Sequence, residues 1–371
     1  MRISIDCRWM AEKMEGAASG ATLLLKDLIM STTHHHWMLM SNKPIADLPS
    51  ATHIETLVFG NTLKAAAARS WWYDRTLPDY LRKCKAERFI GFGGIISTTS
   101  TVPQLLMLHN RPENRAGFSE KFVPDAWYRK RMVPMMEKAD HILVDYKERP
   151  GVAAYFENEA YNRKWQETGW FGNLGLPDAA TDTTNTLKKQ LTDGREYFFC
   201  EEGWRNTEKG IAILLAYAAF KKRMQSGLQL VLLGTPDDPE AWQKKLGSFR
   251  FKNDVKTVPS GSFSSKELLS QSFACIYLPE REDVSPLISA MQAGVPLIAE
   301  PQAVFTAIAG DSILYIGKEP GETLSDRLMQ IYRDDSAREQ RRRKAMEKSA
   351  ELTLQNTTAK LLKVIEGSFF R

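Results

Sequence analysis

Two cations four residues apart could together grip a diphosphate in this 371-residue chain. In EEGWRNTEKGI an apolar stretch ends at Gly203, and Arg205 and Lys209 follow before the next helix. Arginine forks onto phosphate oxygens and lysine adds a compact charge; a solvated loop explains the same residues equally well. In LLMLHNRPEN an apolar strand delivers His109 to its carboxyl end, with Asn110 and Arg111 behind it. Sheets of alternating strands and helices bind ligands at that end, and an imidazole there can hydrogen-bond a substrate. In LPEREDVSPLISAMQAG, Glu280, Arg281, Glu282 and Asp283 crowd the loop before a helix opening at Ser285 and Pro286. Proline suits a first helical turn, whose exposed amides attract an anion. Acidic residues complementing the helix dipole are the other explanation. His34, His35 and His36 carry metal-ligating nitrogens, but consecutive residues on a strand alternate faces. The expectation there is a polar loop and no metal site.

The elements that must position these residues form a repeating order. RISIDCRWM is a buried strand, the small residues from Gly16 to Gly20 a loop, and ATLLLKDLI a helix. HWMLMSN, HIETLVF, RFIGFGG, QLLMLHN and HILVDY add strands. Beyond about residue 175 the alternation restarts: EYFFCEEG, LQLVLLG, DVKTVPS, ACIYLPE, VPLIAE and SILYIG are strands separated by helical patterns. Such alternation predicts α/β architecture with parallel, doubly wound sheets. The Gly-, Asp- and Thr-rich segment 172–186 is the expected linker, and basic 337–352 and TTAKLLKVIEGSF are expected terminal helices. The domains fall at 1–175 and 176–352, with a last helix over about 353–371 returning to the first.

Composition narrows the class. Apolar residues make up 43% and charged ones 26%, as in an ordinary globular protein. Cys7, Cys84, Cys200 and Cys275 are too scattered for a metal cluster and predict free thiols in a reducing compartment. No apolar run of membrane-spanning length and no secretion signal is present, so a cytoplasmic protein is expected. No GxGxxG follows a strand, against a nicotinamide enzyme, and the basic run Arg341–Lys344 fits a solvated helix better than a nucleic-acid site. Lys64, Arg69, Arg75, Arg82, Lys83 and Lys85 lie beside Trp71, Trp72 and Tyr73, and Arg129, Lys130 and Arg131 beside Trp127. That mixture suits peripheral contact with an anionic membrane, or else a solvated face over core tryptophans.

In order along nearly the whole chain, these pieces resemble the retaining glycosyltransferases of family 4. LLMLHN is similar to the family's strand ending in His-Asp, and ADHILVDYKE to its Ala-Asp-x-Ile segment. EEGWRNTEKGI is similar to Gly-Arg-x4-Lys-Gly, SGSFSSKELL to the Gly-x6-Leu segment by the nucleobase, and SAMQAGVPLIAE to Glu-Ala-Met-Ala-x-Gly-x-Pro. The departures fall on chemistry: Arg281 and Ser289 stand where the family keeps two glutamates, Trp204 takes the usual arginine slot with Arg205 one place later, and Asn110 replaces Asp.

The resemblance implies a GT-B fold of two facing Rossmann-like domains with an interdomain cleft. It implies transfer of a sugar, with retention, from a UDP- or GDP-linked donor to a saccharide or lipid-linked acceptor, as in lipopolysaccharide or other surface polysaccharide synthesis. His109 is then the catalytic-site residue on the donor sugar, and Arg205, Lys209 and Ser285 hold the diphosphate. Glu280, Glu282, Asp283, Ser289 and Gly261 meet the sugar and nucleotide, and Gly16 and Ala17 form the acceptor loop. No cofactor or metal is called for and no nucleic acid is a partner; a cytoplasmic enzyme is expected, and the basic and aromatic patch would allow peripheral contact with the inner face of the plasma membrane. The altered motif leaves a second reading: a catalytically silent homologue that binds a glycan or a partner transferase.

Overall fold

The computed structural model describes residues 1–8, 20–42, 51–59, 66–108, 125–144, 164–168, 184–201, 203–279, 284–317 and 323–367. Gly16, Ala17, His109, Asn110, Glu280, Arg281, Glu282 and Asp283 lie outside the described residues. The chain divides into two compact units: Met1–Asn173 with Thr353–Arg371, and Leu174–Leu352.

The first unit is built on strands β1 (Arg2–Asp6), β2 (His36–Ser41), β3 (Ile54–Val58), β4 (Arg88–Gly91), β5 (Gln104–Leu108), β6 (His141–Val144) and β7 (Trp165–Glu167). They lie in the order β3-β2-β1-β4-β5-β6-β7, and every pairing is parallel. Parallel strands covered on both faces must be apolar on both, which is why QLLML and HILV show no polar alternation. The two-residue period still sorts them. Ile3, Ile5, Trp37, Leu39, Leu105 and Met107 join one buried cluster, and Met38, Met40, Phe89, Leu106, Leu108 and Ile142 another. Helix Gly20–Ser31 covers the first face, together with Leu361 and Ile365 of the last helix, Leu354–Gly367.

In the second unit, β8 (Tyr197–Cys200), β9 (Gln229–Leu233), β10 (Val255–Val258), β11 (Ala274–Tyr277), β12 (Leu297–Ala299) and β13 (Leu314–Tyr315) lie in the order β10-β9-β8-β11-β12-β13. All pairings are again parallel. The chain winds from β8 out to β10 and returns beside β8 at β11, and such a reversal opens a crevice between the carboxyl ends of the two central strands.

Three elements differ from the sequence expectation. Helix Thr184–Thr192 takes in residues 184–186 of the expected linker, because Leu187 finds a buried place. Helix Pro239–Gly247 fills the gap between β9 and β10: Asp238 caps it by accepting from the Ala241 amide, Pro239 starts it and Trp242 buries its inner face. The short strand β7 extends the first sheet without any alternating pattern of its own.

Candidate functional site

The switch point of the second unit carries the loop expected to bind phosphate. Gly203, directly behind β8, has φ +90°, and a Cβ on it would lie 2.1 Å from the Leu278 carbonyl oxygen behind β11. Only glycine lets the two strand ends close up this far. Trp204, in the family's arginine slot, is fully buried, donates from Nε1 to the Leu233 carbonyl at 2.9 Å and packs against Trp242. It anchors the loop from inside and reaches no ligand. Asn206 then caps helix Thr207–Met224, its Oδ1 accepting from the Glu208 and Lys209 amides at 3.0 and 3.2 Å. Two of that helix's first amides are thereby used up, which leaves fewer for an anion and more of the task to side chains.

Those side chains diverge. Lys209 Nζ donates to the carbonyls of Leu278 and Pro279 at 3.2 and 3.3 Å and pairs with Glu300 Oε2 at 3.2 Å. It therefore sits over the ends of β11 and β12. Arg205 lies toward β9: a Cβ on Gly234, whose φ is +119°, would meet Arg205 Nε at 2.6 Å. Arg205 Nε is buried without a hydrogen-bond partner, and its guanidinium makes no bond to another described residue. One cation is held ready and the other is committed.

Helix Ser285–Gln292 follows β11 in the chain and begins one residue after Val284. Val284 makes no side-chain cap, and Pro286 stands in the first turn, where its missing N–H removes one orphan donor. Leu287, Ile288, Ala290 and Met291 are buried, while Ser285 and Ser289, one turn apart, share a half-buried face. Gly261 is exposed in the turn behind β10, with φ +87° and open space where a Cβ would stand. From that loop Ser265 Oγ donates to Glu201 Oε2 at 2.5 Å, which ties it to the end of β8. Of the expected site residues, the second unit thus places Arg205, Lys209, Ser285, Ser289 and Gly261 on strand-end loops or the helix start beside them. Glu300 and Glu201 were missed. Both directly follow a strand, so the rule that singled out Arg205 and His109 would have found them.

At the corresponding edge of the first unit, Asp6 ends β1. Arg8 donates to its carboxylate from Nε at 2.9 Å and from Nη2 at 2.7 Å, and the Tyr73 hydroxyl donates at 2.7 Å. The Arg8 guanidinium stacks 3.5 Å from the Trp72 ring centre. Burial by itself raises the Asp6 pKa, but the Arg8 charge and these hydrogen bonds outweigh it and hold the carboxyl below its usual range.

One expectation needs correction and one choice between readings narrows. The aromatic and basic patch fits the solvated face over core tryptophans: Trp72, Tyr73 and Trp127 are 6%, 1% and 9% exposed, and Arg69 is buried. Arg131 donates from Nη1 and Nη2 to the Asp74 carboxylate at 2.6 and 2.8 Å. Trp71 is exposed, as are Arg75, Arg82, Lys83 and Lys85. Of the histidine run, only His36 is on a strand. His34 and His35 lie in the preceding turn, so alternation does not separate them, and both Nε2 atoms meet Glu366 Oε1, at 3.1 and 3.0 Å.

No protein-family model and no curated protein sequence matches the chain. Solved structures do. WaaG, a glycosyltransferase involved in lipopolysaccharide biosynthesis, aligns over 98% of this chain and 100% of its own, at 13% identity and a TM-score of 0.61. A glycosyltransferase from Rickettsia africae aligns over 100% and 99%, at 9% identity and a TM-score of 0.67. Anabaena HepE in complex with UDP aligns over 99% of both chains, at 14% identity and the same TM-score of 0.67. The chain has the GT-B fold, two parallel-sheet α/β domains of the kind these glycosyltransferases share.

Proposed function

We propose that this protein is a glycosyltransferase that moves a sugar, with retention, from a UDP- or GDP-linked donor to a saccharide or lipid-linked acceptor. The observation that carries the reading is the placement of Arg205 and Lys209 around the β8–β11 switch point. Supporting it, HepE is solved with UDP and with UDP-glucose, and WaaG acts in lipopolysaccharide biosynthesis.

In this reading the donor breaks its bond between the anomeric carbon and the phosphate oxygen as an acceptor hydroxyl adds to the same face and passes its proton to the departing diphosphate. Charge builds on the departing diphosphate, and the protein's task is to meet that charge and align the partners. Arg205 swings from Gly234 onto the phosphates, Lys209 adds its charge from the β11 side, and Ser285 sits at the positive end of its helix toward the diphosphate. His109 hydrogen-bonds the donor sugar. Glu280, Glu282 and Asp283 meet its hydroxyls in place of the altered motif, while Ser289 and the Gly261 loop face the nucleoside. Gly16 and Ala17 let the acceptor approach the backbone. The clamp as proposed uses side chains and amides, with no metal among its parts.

No helix among the described residues is long and apolar enough to cross a membrane. Cytoplasmic work at the inner membrane face would rest on exposed Trp71 and its basic neighbours, and salt-sensitive binding to anionic liposomes tests it. The main test is a thermal-shift screen of UDP, GDP, ADP and dTDP and their sugars, in which a true ligand raises the melting temperature by mass action. One stabilising nucleotide series supports the proposal. Silence across all four overturns it in favour of a silent homologue that binds a glycan or a partner.

A further inference from the structure

His34, His35 and Glu366 converge in the first unit, on the edge where the turn before β2 meets the last helix. Their ligand atoms, one per residue, all lie within 4.8 Å of one another. Each imidazole Nε2 is already about 3 Å from the same carboxylate oxygen, at 3.1 and 3.0 Å. Bonds of about 2.0–2.1 Å to a tetrahedral ion put neighbouring ligand atoms roughly 3.3 Å apart. Both nitrogen-to-oxygen distances therefore already suit a shared ion, and only the two nitrogens need to draw together. The His34 side chain is 65% exposed and has room to make that adjustment, while the His35 side chain, 4% exposed, is fixed.

We propose that His34 Nε2, His35 Nε2 and a Glu366 carboxylate oxygen form a binding site for a borderline divalent ion, Zn2+ being the best fit, with water completing the coordination. Two imidazoles and one carboxylate match the preferences of zinc; a hard cation such as Mg2+ prefers an all-oxygen shell. The His35 Nδ1 is buried without a hydrogen-bond partner and would carry the ring proton when Nε2 binds an ion.

The two halves of the site come from distant parts of the chain, residues 34–35 and residue 366. Helix Leu354–Gly367 starts where the chain re-enters the first unit, and Leu361 and Ile365 already seat it against helix Gly20–Ser31. An ion shared between its last turn and the β2 turn would pin the far end of that helix. The consequence is metal-dependent stability of the first unit, independent of any nucleotide.

The test is a titration of chelator-treated full-length protein with ZnCl2, read by calorimetry and by thermal melting, with MgCl2 in parallel. One Zn2+ per chain, a raised melting temperature and no response to Mg2+ support the site. His34→Ala, at an exposed position, should keep the melting curve seen in chelator, and both it and Glu366→Ala should weaken Zn2+ binding at least about tenfold, each judged against its own curve in chelator. Co2+ in place of Zn2+ should show the intense visible bands of a tetrahedral ion, lost in Glu366→Ala. Zn2+ binding that is unchanged in Glu366→Ala would reduce the site to an adventitious histidine run and overturn the proposal. Absence of stoichiometric binding would overturn it as well.

Discussion

Lys209 Nζ and Glu300 Oε2 stand 3.2 Å apart across the ends of two parallel strands, so the lysine nearest the switch point is partly neutralised before any donor arrives. Both side chains are 31% exposed, and a pair this wet contributes at most about 1 kcal/mol. An incoming diphosphate competes with Glu300 for the same charge. Glu300→Gln should therefore tighten nucleoside diphosphate binding by up to about fivefold, the equivalent of that 1 kcal/mol. Calorimetry at low and high salt checks this, and the gain should shrink as salt rises. Weaker binding in the variant would instead mark Glu300 as a donor contact.

The Arg205 guanidinium makes no bond to another described residue, and its carbonyl, which accepts from the Asp237 amide, survives substitution, so replacing the side chain removes little from the fold. Arg205→Ala should melt within about 0.5 kcal/mol of the parent yet lose most of the nucleotide-induced shift. Lys209→Ala should lose the shift and also stability, because the carbonyls of Leu278 and Pro279 lose a donor. Thermal melts with and without nucleotide separate the two.

Gly203 and Gly261 both have positive φ, but their surroundings differ. An alanine methyl at Gly261 enters open space and pays only the left-handed backbone penalty, about 1–2 kcal/mol. At Gly203 it also collides with the Leu278 carbonyl, so Gly203→Ala should destabilise by clearly more than about 2 kcal/mol. Urea midpoints of the two variants give the comparison.

The Asp6–Arg8 pair is buried, and taking away one partner strands the other charge. Asp6→Asn should cost about 3–5 kcal/mol. The folded carboxyl titrates below its ordinary 3.8. The native state therefore holds that proton less readily than the unfolded chain. The stabilisation is complete above about pH 5 and is lost as pH falls through the depressed folded value. Acid unfolding of the parent should be steeper below about pH 4 than that of Asp6→Asn, which has no such group to protonate.

The sequence by itself determined the architecture. Both parallel sheets follow from apolar runs alternating with helical patterns, because a strand covered on two faces has no polar register to offer. Every strand expected from that pattern is present, and β7 and helix Pro239–Gly247 escaped because WQE and PEAWQKKLG lack a run of that kind. The rule of looking just behind strands also located Arg205 and Lys209. Only the tertiary structure decided what their side chains do. Trp204 is a core anchor because the carbonyl of Leu233 and the ring of Trp242 wait for it, and both belong to segments distant in sequence. Lys209 is committed by Glu300, 91 residues away, and His34 and His35 by Glu366, more than 330 away. Tryptophans beside arginines look alike in sequence whether they face solvent or core; Trp71 and Trp72 are neighbours with opposite fates, 64% and 6% exposed. Periodicity is local and survives in a sequence, whereas ion pairing and burial are set by which distant segments the fold brings together.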